Sequence, residues 1–483
     1  MSGRFKFSHK FSLSLLYDKR ERSDRFNSGI TMKYSSFKII GLGLGSFLAL
    51  ILVGFLLTFF GFKNIVQGNT ATGLTQLRLS KPVSWLTSRL TLRTNQTIET
   101  WHVINRVLTS GGKYLVLLQN SDEIRATGGF IGSYTVLDLD SSEPLRLQLR
   151  DMYDPSGVSQ TLSSPPGQKE YLSEGQGMKL VDANWNPDFP ASAKLILDYF
   201  AAIAGDPQHY DGVIALPLTS IEQLISALGG VYLVDEQQTI TGETLAAQIR
   251  RDRDQFFDGS QQKAQSLQAV YTALKIKLGQ LTISDWRQLL TQFNRAKSWQ
   301  TIQIYTQDDR LQTDLRYALL TGELLAYGSD EIYLFPVESN VGINKANRKV
   351  TRQLKVAIVD NELTMITKWH NAYTASERPP ISSSTTYLVA PHLAYVNYHR
   401  VLVNPQLTVQ SVLVDGELSS WDEELLTGVN GLIYRQIGFL VVVPEESEAQ
   451  VEVKFDLPQP GKSQPLIQRQ VGLLYTSISD SIE

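Results

Sequence analysis

The spacing of apolar positions changes character three times along this chain, and each change marks an expected boundary. Residues 39–60 read IIGLGLGSFLALILVGFLLTFF, 22 positions without a charge. As a helix at 1.5 Å per residue the run measures about 33 Å, enough for a hydrocarbon core of about 30 Å. Buried helices of soluble proteins rarely stay apolar on every face for so long. A transmembrane helix over 39–61 is expected, with Ile39 and Phe60 at the two lipid boundaries. Helical spacing resumes in residues 62–110 through Leu74, Leu77, Leu79, Trp85, Leu86, Leu90, Trp101 and Val107, with Pro82 expected to break the run. This segment reads as a helical stalk.

From residue 111 the pattern alternates between short apolar runs and amphipathic stretches. Strands are expected at 114–118, 133–139, 145–149, 211–216 and 231–234. Helices are expected at 191–204, 218–228, through most of 261–297 and at 312–325. Such alternation predicts a mixed α/β sheet with flanking helices over 111–335. Beyond residue 331 the pattern becomes a series of short β-rich runs at 332–335, 350–359, 363–369, 387–390, 396–403, 407–414, 436–443 and 450–455. With almost no helix between them, they predict a β-sandwich-like domain over 336–483. A loop rich in Ser, Gly and Pro is expected at 156–176.

Charge orients the membrane segment. Residues 1–38 hold nine Lys or Arg against three acids. By the positive-inside rule this basic tail stays in the cytoplasm and the main domains lie outside. The 22 apolar residues exceed a usual signal-peptide core, and no small-x-small cleavage site follows at once. The tail is +6 and the whole chain −3, so the remainder is −9. An acidic outer portion lacks the basic footprint of a nucleic-acid binder. The expected partner is the lipid bilayer instead.

Candidate chemistry is sparse. The chain has no cysteine, which excludes disulfides, thiolate metal sites and cysteine nucleophiles. Its six histidines are scattered, and His392 with His399 is a poor zinc spacing. The Ser-x-x-Lys matches at Ser110 and Ser260 lack the other motifs of that enzyme class. Gly128 and Gly129 leave the backbone free for φ > 0 and for close approach to a ligand.

Tyr114-Leu-Val-Leu-Leu-Gln-Asn, followed by Glu123-Ile-Arg125 and Thr127-Gly-Gly-Phe-Ile-Gly132, resembles the bacterial family called domain of unknown function 4012. Lys179-Leu-Val-Asp-Ala-Asn184, Asp211-Gly-Val-Ile-Ala215 and Glu338-Ser-Asn-Val-Gly-Ile-Asn-Lys-Ala346 resemble its later landmarks. A second resemblance, of the middle domain, is to the LytR–CpsA–Psr phosphotransferases, which move glycopolymers from polyprenyl pyrophosphate onto peptidoglycan. His209-Tyr-Asp-Gly-Val-Ile-Ala215, Leu228-Gly-Gly-Val231, Thr241-Gly-Glu243 and Arg250 follow that family's order, and Leu147-Gln-Leu-Arg-Asp151 is similar to another of its motifs.

The second resemblance implies Arg125, Arg150 and Asp151 as catalytic residues and Gly128, Gly129, Lys179, Arg250 and Arg253 around the substrate. It also implies Mg²⁺ on Asp151 and Asp154. Arginine suits pyrophosphate because its planar fork bonds phosphate oxygens in pairs. The departures are specific. Arg125-Ala-Thr-Gly128 lacks the family's aspartate, and Arg253 supplies a second arginine only after a one-residue shift. Strand-end arginines also commonly make surface ion pairs of little consequence.

Two functions are therefore expected. One is a Mg²⁺-dependent transferase acting on polyprenyl-linked glycan or peptidoglycan. The other is a non-catalytic envelope binding or assembly protein on the same fold. Both need the same topology. A single cysteine placed at Gln300 should react with a membrane-impermeant maleimide in intact cells, whereas one at Ser8 should react only after lysis.

Overall fold

The computed structural model describes residues 49–482 except 92, 94, 143–147, 153–162, 173–176, 203–208, 246–260, 298–301, 379–392, 459–463 and 474. Among the described residues one helix, α1 (Ala49–Val66), is long and apolar enough to cross a membrane. It overlaps the expected span from residue 49 onward and continues beyond it to Val66; Ile39 lies outside the described residues.

Helix α2 (Thr70–Leu90) follows, and Pro82 does not interrupt it. Proline lacks the amide that would reach the carbonyl four residues back. Here its ring lies on the exposed side, while the opposite side is locked by packing at Ser80 and Ser84. Gly61 and Gly73 let α1 and α2 touch, since a Cβ on Gly73 would come within 2.5 Å of the Gly61 carbonyl oxygen. Helix α3 (Gln96–Ser110) starts at Asn95, whose side chain accepts from the amides of Thr97 and Ile98 at 3.1 and 3.2 Å. The Asn-x-Thr pattern at Asn95 is thus an N-cap.

Strands β1 (Lys113–Asn120), β2 (Phe130–Asp138), β3 (Arg150–Asp151), β4 (Gly212–Pro217) and β7 (Gln303–Thr306) form a mixed sheet ordered β3-β2-β1-β4-β7. β1 is antiparallel to β2 and parallel to β4. Period-two alternation divides its side chains between two cores. Leu115 and Leu117 face Phe189, Ala193, Ile196 and Phe200 of helix α5 (Phe189–Ala202), which follows the short helix α4 (Gln168–Tyr171). Tyr114 and Val116 face α3 and helix α9 (Asp309–Tyr317) through Val103, Val107, Leu311 and Leu315. Of the expected strand at 145–149, residues 145–147 lie outside the described residues and Gln148 and Leu149 are not in a strand; the described strand is Arg150–Asp151. The last helix begins at Asp309 behind an Asp308 cap and ends at Tyr317, eight residues short of the expected end.

Helix α6 (Leu218–Ala227), the hairpin β5 (Val231–Leu233) with β6 (Gln238–Ile240), and helix α7 (Gln261–Gln280) build a satellite core around Ile225, Leu233, Ile240 and Val270. Helix α8 is Ile283–Lys297.

The remaining strands make two further mixed sheets. One holds β13 (Glu417–Leu418), β12 (Thr408–Val414), β16 (Ser447–Asp456), β10 (Glu362–Asn371), β9 (Val350–Val359) and β18 (Tyr475–Ile482). The other holds β14 (Asp422–Thr427), β15 (Ile433–Val443), β11 (Tyr395–Val403), β8 (Tyr333–Asn340) and β17 (Leu466–Ile467). Leu354, Val356, Met365, Val451 and Val453 of the first share one core with Leu334, Val401, Phe439 and Val441 of the second. The expected strand at 387–390 lies outside the described residues. β8 runs through residue 336, where the sequence places the domain boundary.

The second of these sheets is buried on its other face too. Tyr398 of β11 stacks on Trp185, and Leu402 packs with Ala126 and Leu324 of the preceding domain. At this junction Asp188 is fully buried, and one carboxylate oxygen accepts from the Val429 amide at 2.7 Å. Burial pushes its carboxyl up to about 6. A carboxyl raised on folding favours the fold fully only below its unfolded value near 3.8, and that contribution is lost as pH rises through 6. Asp188→Asn should therefore raise stability by about 1–3 kcal/mol at pH 8 and leave it nearly unchanged at pH 4, read by thermal melts at both pH values.

Candidate functional site

Segments 119–132, 182–184 and 338–347 converge where the first sheet meets the two C-terminal sheets. The chain leaves β1 at Asn120 and turns back through Glu123, whose carbonyl receives the Phe130 amide at 2.9 Å. Gly129 (φ 149°) is needed for this turn: a Cβ there would come within 2.4 Å of the Asn120 carbonyl oxygen. Gly128 (φ 120°) lies against Gln119, Pro217 and Val471. The glycine pair thus brings chain close to chain.

Arg125 sits inside this turn with about 1% of its surface exposed. Its Nε donates to Asp182 at 3.2 Å and Nη2 to Glu123 at 3.0 Å, while Nη1 donates to the carbonyls of Asn340 at 2.6 Å and Ile124 at 3.2 Å. Burial alone would lower the guanidinium pKa, but the two carboxylates outweigh it and raise it. Further residues tie into the same knot. Asn184 donates to the Thr127 hydroxyl at 3.1 Å and the Gly129 carbonyl at 2.8 Å. Asn347 donates to the Ser121 carbonyl at 2.6 Å, and Arg348 reaches Glu222 at 3.0 Å.

Behind this knot lies a second buried pair. Glu338 receives Arg352 Nε at 2.8 Å on each carboxylate oxygen, Trp369 Nε1 at 3.0 Å and the Tyr395 hydroxyl at 2.5 Å. Burial would raise its carboxyl, but the Arg352 charge and these donors hold it below the usual range. Gln470 joins the two clusters, donating to the carbonyls of Arg125 and Glu338 at 2.9 and 2.8 Å. Nothing in the sequence near Gln470 signals this role. The signal available is the separate set of Glu338–Ala346 residues, which carry no partner information by themselves.

The other expected site residues are spread out. Arg150 and Asp151 lie on the edge strand β3, opposite Tyr134 and Ser133 of β2. Lys179 is exposed just before the 3-10 turn at Leu180–Asp182. Asp154, Arg250 and Arg253 lie outside the described residues. Among the described residues no three His, Asp or Glu side chains converge as a metal would require. His399 is fully buried between Trp369 and Phe439, and burial lowers its pKa to about 4, so it is a neutral core group at physiological pH.

An open cleft of about 800 Å³ adjoins β3. Leu149, Tyr232, Val234 and Ile276 give it apolar walls, and Gln265 and Gln268 of α7 add amides. Tyr232, Val234 and Ile276 are all exposed there. A cleft with apolar walls and a few polar groups is the usual form of a small-ligand site.

Arg125→Ala should cost about 3–5 kcal/mol of stability, because it strands the Glu123 and Asp182 carboxylates in the interior. Arg150→Ala, on an edge strand, should change stability by less than about 1 kcal/mol. Denaturant unfolding of both variants checks the contrast.

No curated protein matches the chain. Among solved structures, the Lin1025 protein from Listeria innocua is similar at 13% identity with a TM-score of 0.23, over 44% of this chain and 80% of that one. Residues 111–253 match the family described as "Protein of unknown function (DUF4012)", the same family that residues 114–132 resemble.

Proposed function

We propose that this is a single-pass protein of the cytoplasmic membrane, held by α1 with its main domains outside, that binds an envelope glycan or its polyprenyl-linked precursor without turning it over. The observation that carries the non-catalytic half is the state of Arg125. Its guanidinium already serves two carboxylates and two carbonyls at about 1% exposure, so a pyrophosphate would have to displace protein acceptors to reach it. The ligand reading rests on the cleft beside Arg150, whose apolar walls suit a lipid chain or a sugar face. On this reading the first sheet is LytR–CpsA–Psr-like, the two C-terminal sheets are a β-sandwich, and the second domain is fused to the first rather than appended.

The runner-up is Mg²⁺-dependent phosphotransfer, favoured by Arg150 and Asp151 lying next to the cleft wall at Leu149. The full chain in detergent micelles, titrated with a polyprenyl pyrophosphate, separates the two. Binding weakened about tenfold in Arg150→Ala and Tyr232→Ala, with no transfer at any Mg²⁺ concentration, is expected. Mg²⁺-dependent cleavage of the pyrophosphate bond, with water as the acceptor and polyprenyl phosphate and inorganic phosphate as products, would establish the runner-up, and absence of binding would end both.

A further inference from the structure

Helix α2 is built inside out for a helix in water. Its buried side is Gly73, Leu77, Ser80, Ser84, Thr87 and Ser88, and the four hydroxyl residues are at most 2% exposed. Its outward side carries Leu79, Trp85, Leu86 and Leu90, each 43–61% exposed. In water the hydrophobic effect drives the opposite arrangement. In lipid, small residues permit close helix contact and hydroxyls supply hydrogen bonds between helices. That is what the hidden face does. Thr58 of α1 donates to Ser80 at 2.9 Å, Ser88 donates to Glu99 of α3 at 2.6 Å, and Trp101 of α3 donates to Thr58 at 2.7 Å.

Two further observations point to the medium outside. At 100° per residue, Leu79, Leu86 and Leu90 fall within about 40° of one another, and Arg78 and Arg89 lie about 80–100° to one side. An apolar stripe bordered by cations is the pattern of a helix facing lipid near the headgroups, its long basic side chains reaching them. No acid interrupts it: residues 61–98 hold Lys63, Arg78, Lys81, Arg89 and Arg93 and no Asp or Glu. In addition, α2 runs back along α1. Val83 stands against Gly54, twelve residues and about 18 Å before Val66, so the leucine stripe is level with the apolar helix and beside it.

From these we infer that α2 is a second membrane-contacting element, antiparallel to α1, with Leu79, Leu86 and Leu90 toward the acyl region and Arg78 and Arg89 toward anionic headgroups. The inference rests on the reading of α1 as a membrane span. It places the first sheet, which begins two residues after α3, close to the lipid surface.

The absence of cysteine allows single-site labelling of the full chain. Leu79→Cys, Leu86→Cys, Leu90→Cys, Val53→Cys for the span and Leu418→Cys for the aqueous domain would each carry a fluorophore. The variants would be reconstituted in phosphatidylcholine vesicles with or without about 30 mol% phosphatidylglycerol. Probes at 79, 86 and 90 should be quenched by acyl-chain spin labels at least about threefold more than the probe at 418, and should be shielded from aqueous iodide. The anionic lipid should increase that quenching, and Arg78→Glu with Arg89→Glu should abolish the increase. Quenching at 53 but iodide access at 79, 86 and 90 would overturn the inference while leaving the span intact. Shielding of the α2 probes from both quenchers would overturn it in favour of a second copy or another protein. Failure at 53 as well would overturn the span and the inference together.

Discussion

The packing of the first sheet against the two C-terminal sheets depends on burying two arginines and their carboxylates. Moving such charges out of water is costly and is repaid only by near-complete hydrogen bonding. Arg125 obtains it from Glu123, Asp182 and the Asn340 carbonyl, and Glu338 obtains it from Arg352, Trp369 and Tyr395. The Asn340 carbonyl accepts from Arg125 and Gln470 donates to the carbonyls of Arg125 and Glu338, so these bonds tie the first sheet to the C-terminal sheets, while the Glu338 cluster lies wholly among the latter. The sheet containing β11 is consequently covered on both faces, and the pair behaves as one body.

This constraint also explains which features were legible in advance. β1 and β4 are continuous apolar runs and β9 alternates strictly, so their positions follow from period alone. The landmarks around Arg125, Asp182 and Glu338 were recognisable as sequence patterns, but their purpose was not. A pattern of Arg, Asp and Gly reads equally well as a phosphate site and as a buried hydrogen-bond knot, and only the partners distinguish them. Gln470, 345 residues from Arg125, gave no local sign at all.

Pro82 and the end of the last helix failed for different reasons. Helix propensity counts proline as a break, yet packing on one side of α2 holds the turn together while the ring faces outward. Residues 318–325 have helical composition, but Gly322 takes a positive φ of 62° and Leu324 packs into the domain junction, so tertiary contacts set the end. The inverted face of α2 was visible in the sequence only as a discontinuous apolar stripe. Which side of the stripe turns inward is decided by α1 and α3.

The seal supplied by Gln470 has a bearing on how the protein matures. β17 and β18 pair in parallel with β8 and β9, more than a hundred residues earlier, so the last strands close sheets opened long before. During synthesis from the N-terminus, the backbone carbonyls of Arg125 and Glu338 lack the Gln470 amide until residue 470 has been made. Completion of the core thus waits on residue 470, and a polypeptide that stops short of it leaves two interior backbone carbonyls without their donor. Quality control would have a concrete feature to sense.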